Sequence, residues 1–175
     1  MSFLSIFLMD EPIQIELIRR LPHIRDLVTD VSWYYEINQL IRPLKPKPME
    51  TDGTYRMQHK YIERIQEFHK CIECLICQNV CHVMRDQQVK KFAGPSFLIR
   101  IASLTMYPLD ILNRQKELKD VFGIGNCNIT KCCTEFCPEN ISITDNAIIP
   151  LKEQVTGAFY DPLVWLWRSL TFVSK

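Results

Sequence analysis

The chain has 175 residues, 47% of them apolar, with five glycines against ten prolines and a formal net charge of +1. That is enough for one ordinary domain and an extension, and the apolar content is that of a compact fold rather than a disordered chain. The near-zero charge leaves no electrostatic basis for binding nucleic acid or for a polybasic membrane anchor, and no apolar run reaches the roughly 20 residues that a membrane helix needs.

Residues 1–9 are apolar but carry neither a basic leader nor a small-residue cleavage site, so they do not read as a secretory signal. Residues 12–17 alternate, with Ile13, Ile15 and Leu17 on one side and Gln14 and Glu16 on the other, as a half-buried strand would. A lone strand is not stable by itself, so its sheet is expected on a partner. From Asp26, the spacing of Leu27, Val31, Tyr34, Tyr35 and Ile41 predicts a helix that stops before Pro43. The Pro-rich residues 43–48 suit a stiff extended linker. Met57, Tyr61, Ile65 and Phe68 predict a second helix running into Cys71, with Lys60, Glu63, Arg64 and Glu67 facing water. Pro95 and Ser96 open a third, to about Met106, and Asp110 is expected to cap a fourth that ends near Asp120. Gly123 and Gly125 supply turn freedom ahead of Cys127. A fifth helix covers part of residues 148–155, and a last one begins at Asp161 and Pro162. Residues 163–167 are apolar almost all round and include Trp165 and Trp167, which suits core packing or a wet-dry boundary.

Seven of the eight cysteines fall on one spacing used twice. Cys71, Cys74, Cys77 and Cys81 read C-x2-C-x2-C-x3-C; Cys127, Thr130, Cys133 and Cys137 repeat it with one thiol missing. Cysteines three apart on a tight loop can aim thiolates at three corners of an iron-sulfur cube, but the segment is too short to reach the fourth. In two-cluster ferredoxins the last Cys of each run ligates the other cluster, and Pro138 biases Cys137 away from helical geometry and out of its own loop. The pattern therefore assigns a four-iron (4Fe-4S) cluster to Cys71, Cys74, Cys77 and Cys137. Cys81, Cys127 and Cys133 are left for a second cluster, and three ligands suggest a three-iron (3Fe-4S) one. Zinc sites use two well-separated C-x2-C pairs, and disulfide frameworks belong to small secreted chains, so neither fits. Cys132, outside the repeat, reads as a small buried filler or as a replacement for Thr130 as fourth ligand. His23, His59 and His69 have no ligand spacing and read as structural.

Paired helices flanking two cysteine loops give a mainly α fold, an α-helical ferredoxin domain over residues 21–175, with residues 1–20 as an extension whose strand completes a partner's sheet; this step uses fold-level analogy. The runs 71–81, 91–95 and 127–138, the segment 141–146 and the segment 24–30 together resemble the C-terminal half of the succinate dehydrogenase and fumarate reductase iron-sulfur subunit, over about residues 10–167. In that family an N-terminal domain holds a two-iron cluster, and no cysteine precedes Cys71 here. The resemblance thus implies one half of a split subunit, its strand joining a separate two-iron ferredoxin-domain chain by β-augmentation; a truncated subunit without such a partner is the blander alternative.

The resemblance further implies an electron wire within a succinate:quinone oxidoreductase. Its partners would be a flavoprotein subunit and membrane-anchor subunits, its acceptor a quinone, and its location peripheral on the inner side of an energy-transducing membrane. The family's quinone-site residues transfer poorly: where it has Pro, Trp and His, this chain has His82, no Trp in residues 84–86, and Asn128. His82 is the residue left near a quinone, or it only hydrogen-bonds the cluster loop. A heterodisulfide-reductase-like two-cluster carrier is the alternative function, though its second run normally keeps the cysteine that Thr130 replaces; a non-catalytic structural metal module is a third.

Overall fold

The computed structural model describes residues 15–19, 21–85 and 91–162. Residues 12–14 of the expected N-terminal strand and the apolar residues 163–167 lie outside these; Ile15 and Leu17 are in irregular backbone, with Ile15 exposed.

The first regular structure is a small antiparallel hairpin, β1 (His23–Arg25) and β2 (Val28–Thr29). This corrects the helix expected from Asp26. Asp26 takes a left-handed φ of 51° at the turn, a conformation its short polar side chain tolerates, and its carbonyl lies 3.0 Å from His23 Nε2. Helix α1 (Ser32–Leu40) begins only after the Asp30 carboxylate has accepted the Ser32 N–H at 2.8 Å.

The Pro-rich stretch is extended but is no free spacer. Lys47 N–H donates to the Leu109 carbonyl at 2.9 Å and Ile111 N–H to that of Lys45 at 3.0 Å, strapping it along residues 109–111. Asp110 therefore does not cap a helix. Its carboxylate accepts from the backbone N–H of Lys45 and Leu112 and from Arg114 Nη2 at 2.7 Å, while Arg114 also donates to the carbonyls of Arg42 and Pro43. Both side chains are buried, at 1% and 2% exposure. Helix α6 starts later than expected, at Gln115–Asp120.

Helix α2 (His59–His69) buries Ile65 and Phe68, whereas Tyr61 is left exposed. Glu67, expected in water, accepts the Ser142 N–H at 2.7 Å and an Asn146 amide N–H. It thereby ties the segment after Cys137 to the helix that leads into Cys71. Short helices α3 (Ile76–Val80) and α4 (His82–Arg85) follow the first cysteines.

Helix α5 (Pro95–Thr105) is the centre of the core, as its apolar run predicts. Phe97, Leu98, Ile101 and Ala102 are at most 1% exposed, and burying each Leu, Ile or Phe contributes about 1.5–3 kcal/mol. Trp33 and Tyr34 of α1 meet Phe97 at ring-centroid distances of 5.3 Å. Gly94 precedes α5 at φ 93°, where a Cβ would lie 1.8 Å from Gln78 Oε1; Gln78 itself is buried and donates to the Ala93 carbonyl at 3.0 Å. Glycine is what permits that approach.

After α7 (Cys132–Glu135) the chain makes a π-helical turn, Ile143–Ile148, that continues into α8 (Ile149–Phe159), which carries Pro150 near its start and runs past Val155, where the helix was expected to end. Together α5, the π-turn, α8, α6 and α2 enclose Leu118, Ile124, Ile141, Ile148 and Leu151. Among the described residues no helix is long and apolar enough to cross a membrane.

Candidate metal centre

The two cysteine loops share a backbone feature. In the first loop Glu73 and Leu75 take left-handed φ values of 55° and 60°; in the second, Ile129 and Lys131 take 59° and 61°. These are the matching positions, two and four residues after Cys71 and Cys127. Each such residue costs about 1–2 kcal/mol outside glycine, so a doubled pattern of four points to a shared requirement. Alternation of right- and left-handed residues turns successive N–H groups toward one concavity, a known anion and iron-sulfur cradle.

Cys71, Cys74, Cys77 and Cys137 line one apolar cavity together with Pro138 and Ile141. Burial pushes the Cys77 thiol far up, and the neighbouring sulfurs of Cys71, Cys133, Cys74 and Cys137 add to it. The Cys71 thiol is raised by the same burial, opposed by the Glu73 backbone N–H. The second set gathers around Cys81 and Cys133. Each thiol is raised first by burial and then by the charges of Cys132 and Cys127, against backbone N–H bonds from Met84 and Val83 to Cys81, and against the Thr144 hydroxyl and the Thr134 backbone N–H at Cys133. The last cysteine of each run thus leaves its own loop: Cys137 joins the first set and Cys81 the second. Helix α3, which carries Cys77, packs on α7, which carries Cys133.

Among the described residues no three His, Cys, Asp or Glu side chains converge on a single metal ion; the four sulfurs of the first set line a cavity instead. Thiolates crowded in an apolar cavity are unfavourable unless a positive metal group shares it. The cavity, the paired left-handed residues and the N–H donors to sulfur all fit polynuclear iron-sulfur clusters.

Neighbouring side chains brace both loops. Glu73 is held by the Tyr34 hydroxyl and by Arg100 at 3.0 Å, and Arg100 reaches Asn38 at 2.6 Å. In the second loop, Lys152 of α8 donates to the Cys127 carbonyl at 2.6 Å and Lys131 pairs with Asp145 at 2.8 Å. Buried Thr144, on the π-turn, accepts from the Thr134 hydroxyl at 3.0 Å, which leaves its own proton for Cys133 Sγ at 3.3 Å. No spacing rule points to Thr144, Lys152 or Glu73.

Cys132 is half-buried, its sulfur 3.3 Å from the hydroxyl of exposed Thr130. His82 opens α4 beside Cys81 and is exposed. His23 and His59 make local contacts only, with Asp26 and Glu63.

Residues 67–141 match the family model for a 4Fe-4S dicluster domain. The chain is 26% identical over 145 residues to the succinate dehydrogenase iron-sulfur subunit of Bacillus subtilis, covering 78% of this chain and 55% of that protein. It is 28% identical over 138 residues to the fumarate reductase iron-sulfur subunit of Mycobacterium tuberculosis, covering 74% and 54%. It thus spans about half the length of these curated relatives. A chain in the structure of the Mycobacterium smegmatis Sdh1 complex in the apo form superposes with a TM-score of 0.84 at 52% identity, over 94% of this chain and 70% of that one. Two interlocked cysteine loops in one helical core, with these relatives, mean that the chain belongs to the succinate dehydrogenase and fumarate reductase iron-sulfur subunit family.

Proposed function

We propose that the chain is the electron-transfer subunit of a succinate:quinone oxidoreductase, with a four-iron cluster on Cys71, Cys74, Cys77 and Cys137 and a three-iron cluster on Cys81, Cys127 and Cys133. The observation that carries it is the cavity lined by Cys71, Cys74, Cys77 and Cys137, which draws sulfurs from both runs; the helix that carries Cys77, α3, packs against that of Cys133, α7, and neighbouring centres favour electron passage. When bound, the clusters supply one-electron carriage from a flavoprotein partner, through a two-iron domain, toward a quinone at membrane-anchor subunits. This chain's residues fix the sulfurs, exclude water from the first cavity and set the potentials. Exposed His82, next to Cys81, is the candidate proton carrier near the quinone. The reading makes the subunit peripheral on the membrane.

Anaerobic purification of the assembled complex, with iron and acid-labile sulfide analysis and paramagnetic resonance, tests this. The expected result is a three-iron signal in the oxidised state and a four-iron signal after reduction. A colourless, signal-free preparation refutes the proposal.

The Thr144 hydroxyl stabilises negative charge on the Cys133 sulfur, and such hydrogen bonds raise a cluster's reduction potential. Thr144→Val is expected to keep its iron and lower the midpoint potential of the second centre. An unchanged potential in a redox titration would mean that this hydroxyl does not tune it.

A further inference from the structure

We infer that Arg100 is a positioning residue of the first centre: it offsets the charge of Glu73 and, through that side chain, fixes the turn between Cys71 and Cys74. The inference rests on the two-cluster reading above.

Glu73 stands between two of the cysteines of the first cavity and lines that cavity with them. An acid is an odd occupant there, because like charges repel and thiolates that hold metal are themselves negative. The backbone gives no reason for it. Ile129 stands at the matching position of the second loop with nearly the same left-handed φ, 59° against 55°, so the turn itself does not require a carboxylate.

The reason lies in a second cavity, of about 300 Å³, which Glu73 and Cys71 also line, together with Tyr34, Asn38, Arg100 and Ser103. There both carboxylate oxygens are taken: Oε1 lies 3.0 Å from Arg100 Nη2, and Oε2 accepts the Tyr34 hydroxyl. The other arm of the guanidinium, Nη1, donates to Asn38 Oδ1 at 2.6 Å. Tyr34 and Asn38 are one turn apart on α1, and the Tyr34 ring packs on Phe97 of α5, the helix that carries Arg100. The planar fork of Arg100 thus joins α1, α5 and the first loop through two partners at once, which a lysine ammonium cannot reproduce. The Glu73 N–H in turn bonds the Cys71 sulfur, so whatever holds this residue holds that contact.

The pair is about half exposed, 46% for Arg100 and 44% for Glu73, so solvent and salt weaken it without cancelling it. Without Arg100 the carboxylate beside Cys71 stands uncompensated, and added negative charge lowers the reduction potential of a cluster. The loop also loses its tie to both helices, so the first centre gives up iron more readily.

The test uses the assembled complex, with anaerobic redox titration by paramagnetic resonance and iron release to a chelator followed on the first centre's signal. R100M is expected to lower the midpoint potential of the first centre, more at low salt than at high. It should also release that centre's iron about fivefold faster, the upper end for a half-exposed pair. E73Q, whose amide keeps hydrogen-bonding atoms for Arg100 and Tyr34, should hold its iron and titrate above the wild type. R100M/E73Q removes both charges, so its midpoint should return to the wild-type value while its iron release stays fast. R100K keeps the charge but not both bonds; it should titrate as the wild type and lose iron faster, and it carries the test if R100M does not assemble. An unchanged midpoint in R100M, a double variant that stays at the R100M midpoint, or iron release at the wild-type rate in R100M or R100K overturns the inference. If the reduced wild type has no four-iron signal, it is the two-cluster reading that fails, and the inference with it.

Discussion

Cys137→Ala is expected to strip the first centre of its iron while sparing the second. Cys137 follows α7 in the second run, yet it lines the cavity of Cys71, Cys74 and Cys77. Even an outer partner of a metal ligand is worth roughly 10–100-fold in affinity or activity, so loss of a direct ligand should exceed that in electron transfer to quinone. Iron analysis should fall by the content of one cluster, and the oxidised three-iron signal should persist. Loss of that signal with a surviving four-iron centre would mean that the runs do not exchange their last cysteines.

The second large effect lies away from the sulfurs. Arg114 and Asp110 form a buried pair that also satisfies the carbonyls of Arg42 and Pro43, and so clamps the Pro-rich strap to the start of α6. Removing one member of a buried pair leaves an uncompensated charge and costs about 3–5 kcal/mol. Arg114→Met should accordingly lower the melting temperature by roughly 6–20 °C for a domain of this size. The pair also gives an acid limit. Burial raises the Asp110 carboxyl, but hydrogen bonds from Arg114, Leu112 and Lys45 outweigh it and hold it below the ordinary carboxylate range. Because the folded-state value is depressed, the stabilisation is complete above the unfolded value of about 3.9 and is lost as pH falls through the folded one. Asp110→Asn should be less stable at neutral pH and lose less on acidification below about pH 4. Parallel acid denaturation of the two forms checks this; equal slopes would remove Asp110 from the account.

The departures from the sequence reading have two origins. The expected helix holds only from Ser32 onward, which includes Tyr34 but leaves out Leu27 and Val31, because Asp26 adopts a left-handed turn and Asp30 sets the start of α1. Asp110 precedes a helical stretch as a cap would, yet a strap from residues 45–47 claims its carboxylate first. Glu67 falls on the polar face of α2, and a segment more than 70 residues later folds back onto it. In the last two cases local propensity met a distant partner, and the distant hydrogen bond in a partly dry site was worth more; at Asp26 and Asp30 the competing turn chemistry is itself local.

The order and chemistry of the two cysteine runs, the central apolar helix from Pro95 and the membership of a dicluster family follow from the sequence alone, because ligand type, loop spacing and helical period are local properties. The tertiary fold alone decided what surrounds the sulfurs: that α3, carrying Cys77, packs on α7, carrying Cys133, and that Thr144 reaches a cysteine from a π-turn. Such contacts depend on how helices pack and where loops close, and a chain's periodicity does not encode distances between residues far apart along it.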